Sequence, residues 1–226
     1  MNRKQIFFTT PIYYVNDVPH IGHAYTSIAV DFLARFNRLL GNDTRFLTGT
    51  DEHGLKIQKA AEKLSISPLE LCDKNSKIFR DLTNVLNLSN DDFIRTTETR
   101  HKEGASFLWN ILFEKGDIYL DEYTGWYSVN DETFYNEKDL NKQDDGSFRT
   151  VTGGQVEWIK EESYFFRLSK YQDVLLKYYQ DNPDFILPQS KRNEVINFVK
   201  SGLRDLSVSR ASFNWGIKVP SNTKHI

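Results

Sequence analysis

Two short stretches of this sequence carry side chains that can do electrostatic or acid–base chemistry. The first, VNDVPHIGHAYTS from Val15 to Ser27, sets His20 and His23 three residues apart with Gly22 between them. The chain has five histidines, and these two sit where an amphipathic pattern begins. A helix N-terminus exposes unpaired backbone N–H groups and roughly half a positive charge, so it attracts anions. At that spacing both imidazoles lie on nearly the same face of the first turn and reach one phosphate group, to which a neutral or protonated ring can donate. Gly22 removes a side chain where a flat base or sugar can rest against the backbone. The pair suits stabilisation of charge on a phosphoryl group undergoing displacement. Two readings compete with it: metal ligands, since imidazole and carboxylate are common zinc and iron donors, and a pair of solvated surface histidines.

The second stretch, TGTDEHG from Thr48 to Gly54, gathers Asp51, Glu52 and His53. Asp51 suits a substrate ammonium, the interaction by which a pocket selects amino acids. Simple N-terminal capping by the Asp-Glu pair is the alternative. Ile12, Tyr13 and Tyr14 either line an apolar pocket or belong to the core, the commoner fate of such residues.

Both stretches must be positioned by the elements around them. Ile6 to Tyr14 is β-branched and aromatic and predicts a buried strand, bent or ended early by Pro11. From His20 on, Ile21, Ala24, Tyr25, Ile28, Phe32, Leu33, Phe36, Leu39 and Leu40 recur at spacings of three and four, which predicts a helix closed by Gly41 and Asn42. A strand over Arg45 to Thr48, a helix over Leu55 to Leu64 and a third helix to about Leu86 follow. Ser67, Pro68 and Glu70 give that third helix an N-cap, a first-turn proline and a capping box. Phe93 to Thr96 reads as a strand and Thr99 to Lys115 as a helix. This alternation is that of a parallel sheet covered on both faces, whose ligand crevice lies outside the carboxyl ends of the strands. From Ile118 to about Phe165 the texture is aromatic and turn-rich and predicts short inserted antiparallel hairpins. Helical periodicity returns at Leu168 to Tyr179 and Asn193 to Gly202, and the last segment, LRDLSVSRASFNWGIKVP, reads as a strand with flanking loops.

Composition narrows the function class. The 226 residues are 39% hydrophobic and 14% aromatic, enough for an ordered core in one or two domains. With 29 basic and 31 acidic side chains there is no global basic field to announce nucleic acid. Cys72 is the single cysteine, which excludes an intramolecular disulfide and a multi-thiolate zinc site and favours a reducing compartment, the cytoplasm, with the mitochondrial matrix as the alternative. No stretch approaches the roughly 18 apolar residues of a membrane span, and the N-terminus is too interrupted for a secretion signal.

The stretch TTPIYYVNDVPHIGHAYTSIAVDFLARFNRLLG, followed by TGTDEHGLKIQKAA and later by EESYFFRLSKYQ and GLRDLSVSR, resembles the methionyl-tRNA synthetases, a family of class I aminoacyl-tRNA ligases. The resemblance covers nearly the whole chain. It implies an α/β fold: a Rossmann-type parallel sheet with helices on both faces and an inserted antiparallel connective domain. The implied division is the first part of the catalytic domain over 1–117, the connective insertion over 118–165, and a return towards the catalytic domain over 166–226. The implied reaction makes methionyl-adenylate from L-methionine and ATP, with Mg2+ accompanying ATP, and passes the methionyl group to tRNA(Met). On this pattern His20, Gly22 and His23 bind ATP, the two histidines with Arg210 act in catalysis, and Ile12, Tyr14 and Asp51 bind methionine. The cysteines of the family's zinc knuckle are missing from YTGWYSVNDETFYNEKDL, so no structural zinc is expected. The family's Lys-Met-Ser-Lys-Ser loop and anticodon-binding domain are missing too. The resemblance therefore implies an N-terminal portion of a longer enzyme, inactive in aminoacylation by itself. A class I ligase for another amino acid, a nucleotidyltransferase and a non-catalytic synthetase-like binding module are the alternatives. No membrane partner is expected, and the sequence leaves the oligomeric state open.

Overall fold

The computed structural model describes residues 3–128, 131, 133–143 and 145–226. Val129, Asn130, Glu132 and Asp144, within the block expected to form inserted hairpins, lie outside the described residues. The chain divides into two compact units, Met1–Ser106 with Trp215–Ile217, and Phe107–Asn214 with Lys218–Ile226.

The first unit is built on a parallel sheet. Its strands are β1 (Gln5–Thr9), β2 (Tyr13–Tyr14), β3 (Asp43–Asp51) and β4 (Asp92–Arg95), of which β1, β2 and β4 each pair with β3 in parallel. The single strand expected over Ile6–Tyr14 is thus two. Pro11 offers no N–H to a ladder, and the break comes just after Thr10 donates its N–H to Leu47 O (3.2 Å). Beyond the break the chain rejoins the sheet, placing Tyr13 opposite Thr50 and Tyr14 opposite Asp51. The strand β3 is longer than its Arg45–Thr48 signal, because pairing on both sides extends it through polar residues.

Helix α1 (Ile21–Leu39) joins β2 to β3, and α2 (Leu55–Lys63) with α3 (Pro68–Val85) joins β3 to β4. The expected capping box at Ser67 and Glu70 is present, with Ser67 N donating to Glu70 Oε2 at 2.8 Å and Pro68 in the first turn. The core gathers Tyr13, Val15, Ile57, Ala61, Leu71, Cys72, Phe79 and Phe93. Helix α1 departs from expectation in which face it buries. Ser27, Asp31 and Ala34 face inward, and Asp31 accepts from Ser89 N and Oγ (both 2.6 Å) and from Arg35 Nε (2.6 Å). The apolar residues that announced the helix, Ile21, Tyr25, Phe32 and Leu39 among them, are exposed.

Helix α4 (Thr99–Glu114) contains the division between the units. The second unit centres on two 11-residue strands, β5 (Ile118–Ser128) and β9 (Val156–Phe166), antiparallel along their whole length. These are longer than the short hairpins expected there. The strand β6 (Thr133–Tyr135) extends the sheet beside β5, β10 (Leu206–Ser207) extends it beside β9, and β7 (Asn141–Lys142) with β8 (Phe148–Arg149) makes a separate small ladder. Helices α5 (Gln172–Asp181) and α6 (Gln189–Lys200) lie between β9 and β10 in sequence. Helix α6 starts four residues before its expected Asn193, since the backbone of Pro188 already accepts from Lys191 and Arg192. Ile118, Tyr164 and Val219 form the buried cluster of this unit. No helix among the described residues is long and apolar enough to cross a membrane.

Candidate active site

Helix α1 begins at His20, whose extended backbone (φ −126°, ψ 178°) makes it the N-cap. Gly22 N–H donates to His20 Nδ1 (3.1 Å), and His20 N–H donates to His23 Nδ1 (3.0 Å). This is a capping box made of two imidazoles, where a hydroxyl and a carboxylate are usual. It has a chemical consequence. Each Nδ1 is occupied as an acceptor, so each neutral ring carries its proton on Nε2 and offers it to a ligand. The ring centroids are 3.9 Å apart, close enough for both to serve one anion. At Gly22 a Cβ would sit 2.9 Å from His20 Cε1, so any larger residue would displace the His20 ring.

His23 is held by the aromatic core, edge-on to Tyr13 (centroids 4.8 Å) and Phe79 (5.1 Å). Burial first, and the neighbouring His20 second, lower its pKa from the usual value, which keeps it a neutral donor. Tyr13 therefore belongs to the core and supports the site from behind, its hydroxyl 2.9 Å from Ser27 Oγ. Ile12 and Tyr14, its neighbours, are exposed. Tyr14 lies opposite Asp51 in the sheet register, and Lys56 Nζ stands 5.7 Å from its ring centroid. The structure thus sets Tyr14 beside Asp51, the last residue of β3.

Glu52 does not cap a helix. The N-cap of α2 is Gly54, with φ of 104° and no side-chain capping bond. Glu52 is wholly buried. Its carboxylate accepts from Arg95 Nε (2.7 Å) and Arg95 Nη2 (2.9 Å), from Thr50 Oγ1 (2.6 Å) and from Thr97 Oγ1 (2.5 Å). The Trp215 indole N–H donates to Glu52 O (2.5 Å), and Gly54 N–H donates to Trp215 O (3.1 Å), so Trp215 clasps the turn that follows β3. No local motif announces Arg95, Thr97 or Trp215 as its partners. The signal available for Glu52 was its place in TGTDEHG, where a buried charge and a capping charge look alike.

The His53 ring lies against that of Trp215, tilted by 56° with centroids 5.5 Å apart. Burial, then Lys102 and His101, lower its pKa from 6.5 to about 4. Between those two values the unfolded chain binds the proton that folded His53 refuses, so stability rises with pH there. The loss begins as pH falls below 6.5 and is complete near 4. Allowing for its partial exposure, the contribution is on the order of 1–2 kcal/mol. Denaturant titrations from pH 7.5 to 4.5 are expected to show this slope, and His53→Gln is expected to flatten it. An equal slope in both proteins would mean that another group is responsible.

Arg210 lies in the second unit. Its Nη1 donates to Ser207 Oγ and to Ser209 O (both 2.7 Å), its guanidinium stands 5.8 Å from the Tyr127 ring centroid, and its backbone exchanges two hydrogen bonds with Ile226 (both 2.9 Å).

In this unit a parallel sheet leads into a helix that starts on two backbone-held imidazoles. The family model described as "tRNA synthetases class I (M)" matches residues 6–145 and 143–226, and the chain belongs to that family. A methionine–tRNA ligase of Rickettsia felis is 62% identical over 99% of the chain, and one of Mesorhizobium japonicum is 55% identical over all of it. Among solved structures, the Mycobacterium tuberculosis methionyl-tRNA synthetase in complex with methionyl-adenylate superposes with a TM-score of 0.93 at 51% identity over 99% of the chain. Its apo form gives 0.80 at 48% identity. The chain spans 43% and 44% of the two relatives' lengths and 44% of the adenylate-bound structure's chain.

Proposed function

We propose that this chain carries the nucleotide- and amino-acid-binding half of a methionine–tRNA ligase. The observation that carries the reading is the imidazole pair at the start of α1, whose ring protons are left on Nε2 because both Nδ1 atoms accept from the backbone. In the first step an oxygen of the methionine carboxylate attacks the α-phosphorus of ATP. The new P–O bond forms as the bond to the bridging oxygen breaks, and pyrophosphate leaves with that electron pair. Charge grows on the phosphoryl oxygens and the leaving group, where His20 and His23 donate hydrogen bonds that strengthen in the transition state. Asp51 holds the methionine ammonium, Ile12 and Tyr14 contact its side chain, Gly22 lies beneath the nucleotide, and Arg210 offsets negative charge. Mg2+ enters with ATP as part of the substrate, zinc takes no part, and tRNA(Met) accepts the methionyl group in the second step. The segment 118–165 is the connective insertion between the two parts of the catalytic domain, 1–117 and 166–226, and the protein works in the cytoplasm. Methionyl-adenylate is bound by the M. tuberculosis structure that this chain resembles.

The test is ATP–pyrophosphate exchange with each common amino acid, run on the full-length product of the gene. Exchange with methionine alone is the expected result. Exchange with a different amino acid would make it a sibling ligase, and none at all in a folded protein would favour a binding module.

A further inference from the structure

We propose that Glu52 and Arg95 are positioning residues for Asp51, a step that rests on the reading of Asp51 as the ammonium ligand. Asp51 is partly exposed at the end of β3, while the residues on either side of it, Thr50 and Glu52, are wholly buried. Side chains alternate along a strand, so whatever fixes Thr50 and Glu52 on the inner face fixes the direction of Asp51 on the outer one. Both neighbours are pinned to one residue: Thr96 N–H donates to Thr50 O (3.2 Å), and Glu52 N–H donates to Thr96 Oγ1 (2.8 Å). The Glu52 carboxylate then ties the strand end together. It accepts from Thr50 on its own strand, from Arg95 at the end of β4, and from Thr97 just beyond. Arg95 Nη2 reaches on to Asp73 on α3 (2.6 Å). On the far side the Glu52 carbonyl takes the Trp215 indole N–H and the Cys72 thiol (3.4 Å).

A buried ion pair is a poor source of net stability, because apolar residues of similar volume often do as well or better. What such a pair supplies is fixed geometry, here at the residue next to a substrate ligand. A carboxylate that must meet an ammonium at hydrogen-bond distance needs its backbone held to a fraction of an ångström, and small displacements are costly in rate. The bidentate fork of Arg95 supplies that directionality.

The experiment compares Glu52→Met/Arg95→Met, which removes both charges together, with Asp51→Asn, both in the full-length protein. Methionine and ATP affinities are measured by calorimetry, with melting temperatures alongside. The expected result is a double variant with near-native melting temperature and ATP affinity and a methionine affinity about 10-fold or more weaker. Asp51→Asn weakens methionine at least as much. Arg95→Lys with Glu52 intact is expected to keep part of the affinity that the double variant loses, since it retains the charge without the fork. Should the double variant bind methionine normally while Asp51→Asn does not, the positioning role is wrong and the ammonium reading stands. Should Asp51→Asn bind methionine normally, the ammonium reading falls and takes the positioning role with it.

Discussion

Replacing His20 with alanine is expected to slow adenylate formation by about 10²- to 10³-fold, the usual effect of removing one preorganised donor from a site of developing negative charge. The same change also damages the fold locally, because His20 is the N-cap of α1 and accepts the Gly22 N–H. Loss of a side-chain cap costs about 1 kcal/mol. The two consequences separate with a second variant. In His20→Asn the side-chain oxygen replaces Nδ1 as the acceptor, so the helix start is kept while the Nε2–H is lost. The expected pattern is a lowered denaturation midpoint in His20→Ala, a midpoint close to the parent in His20→Asn, and slow pyrophosphate exchange in both. Full exchange activity in His20→Asn would reduce His20 to a cap. The defect belongs in kcat more than in the KM for ATP, since the bond strengthens as charge moves onto the phosphate.

What could be read from the sequence follows from the range of the interactions involved. The third helix was legible to the residue because its start is written locally, in Ser67, Pro68 and Glu70. The pairing of His20 with His23 was legible for the same reason, although the backbone bonds that fix their tautomers were not. For α1 the periodicity correctly announced a helix but misplaced its inner face. Apolar spacing shows that a stripe exists; what covers it is decided by the rest of the fold. Here Asp31 turns inward because Ser89 and Arg35 satisfy it, while Phe32 and Phe36 stack on the exposed side (centroids 6.4 Å). Tyr13 and Tyr14 show the limit at single-residue scale: adjacent on a strand, one must point in and one out, and composition alone does not say which. The network around Glu52 was beyond local reading altogether, since its partners lie 43 residues away at Arg95 and 163 away at Trp215.

That network sets the second large effect. Arg95→Met alone is expected to cost about 3–5 kcal/mol, the range found when one member of a buried ion pair is removed. Against the 5–15 kcal/mol that holds a typical domain together, this is enough to leave a substantial unfolded fraction on mild heating. The reason lies with Glu52, which has no exposure and so no water to replace the guanidinium. Thr50 and Thr97 still donate to it, but two hydroxyls do not neutralise a charge. Removing both charges avoids this penalty, so Glu52→Met/Arg95→Met is expected to lie closer to the parent than Arg95→Met does. The Trp215 and Cys72 bonds survive in both, because they end on the Glu52 main chain. Urea titrations of the three proteins check this: the expected order of midpoints is parent, then the double variant, then Arg95→Met. A double variant no more stable than Arg95→Met would mean that the loss comes from packing around the arginine stem rather than from the charge left on Glu52.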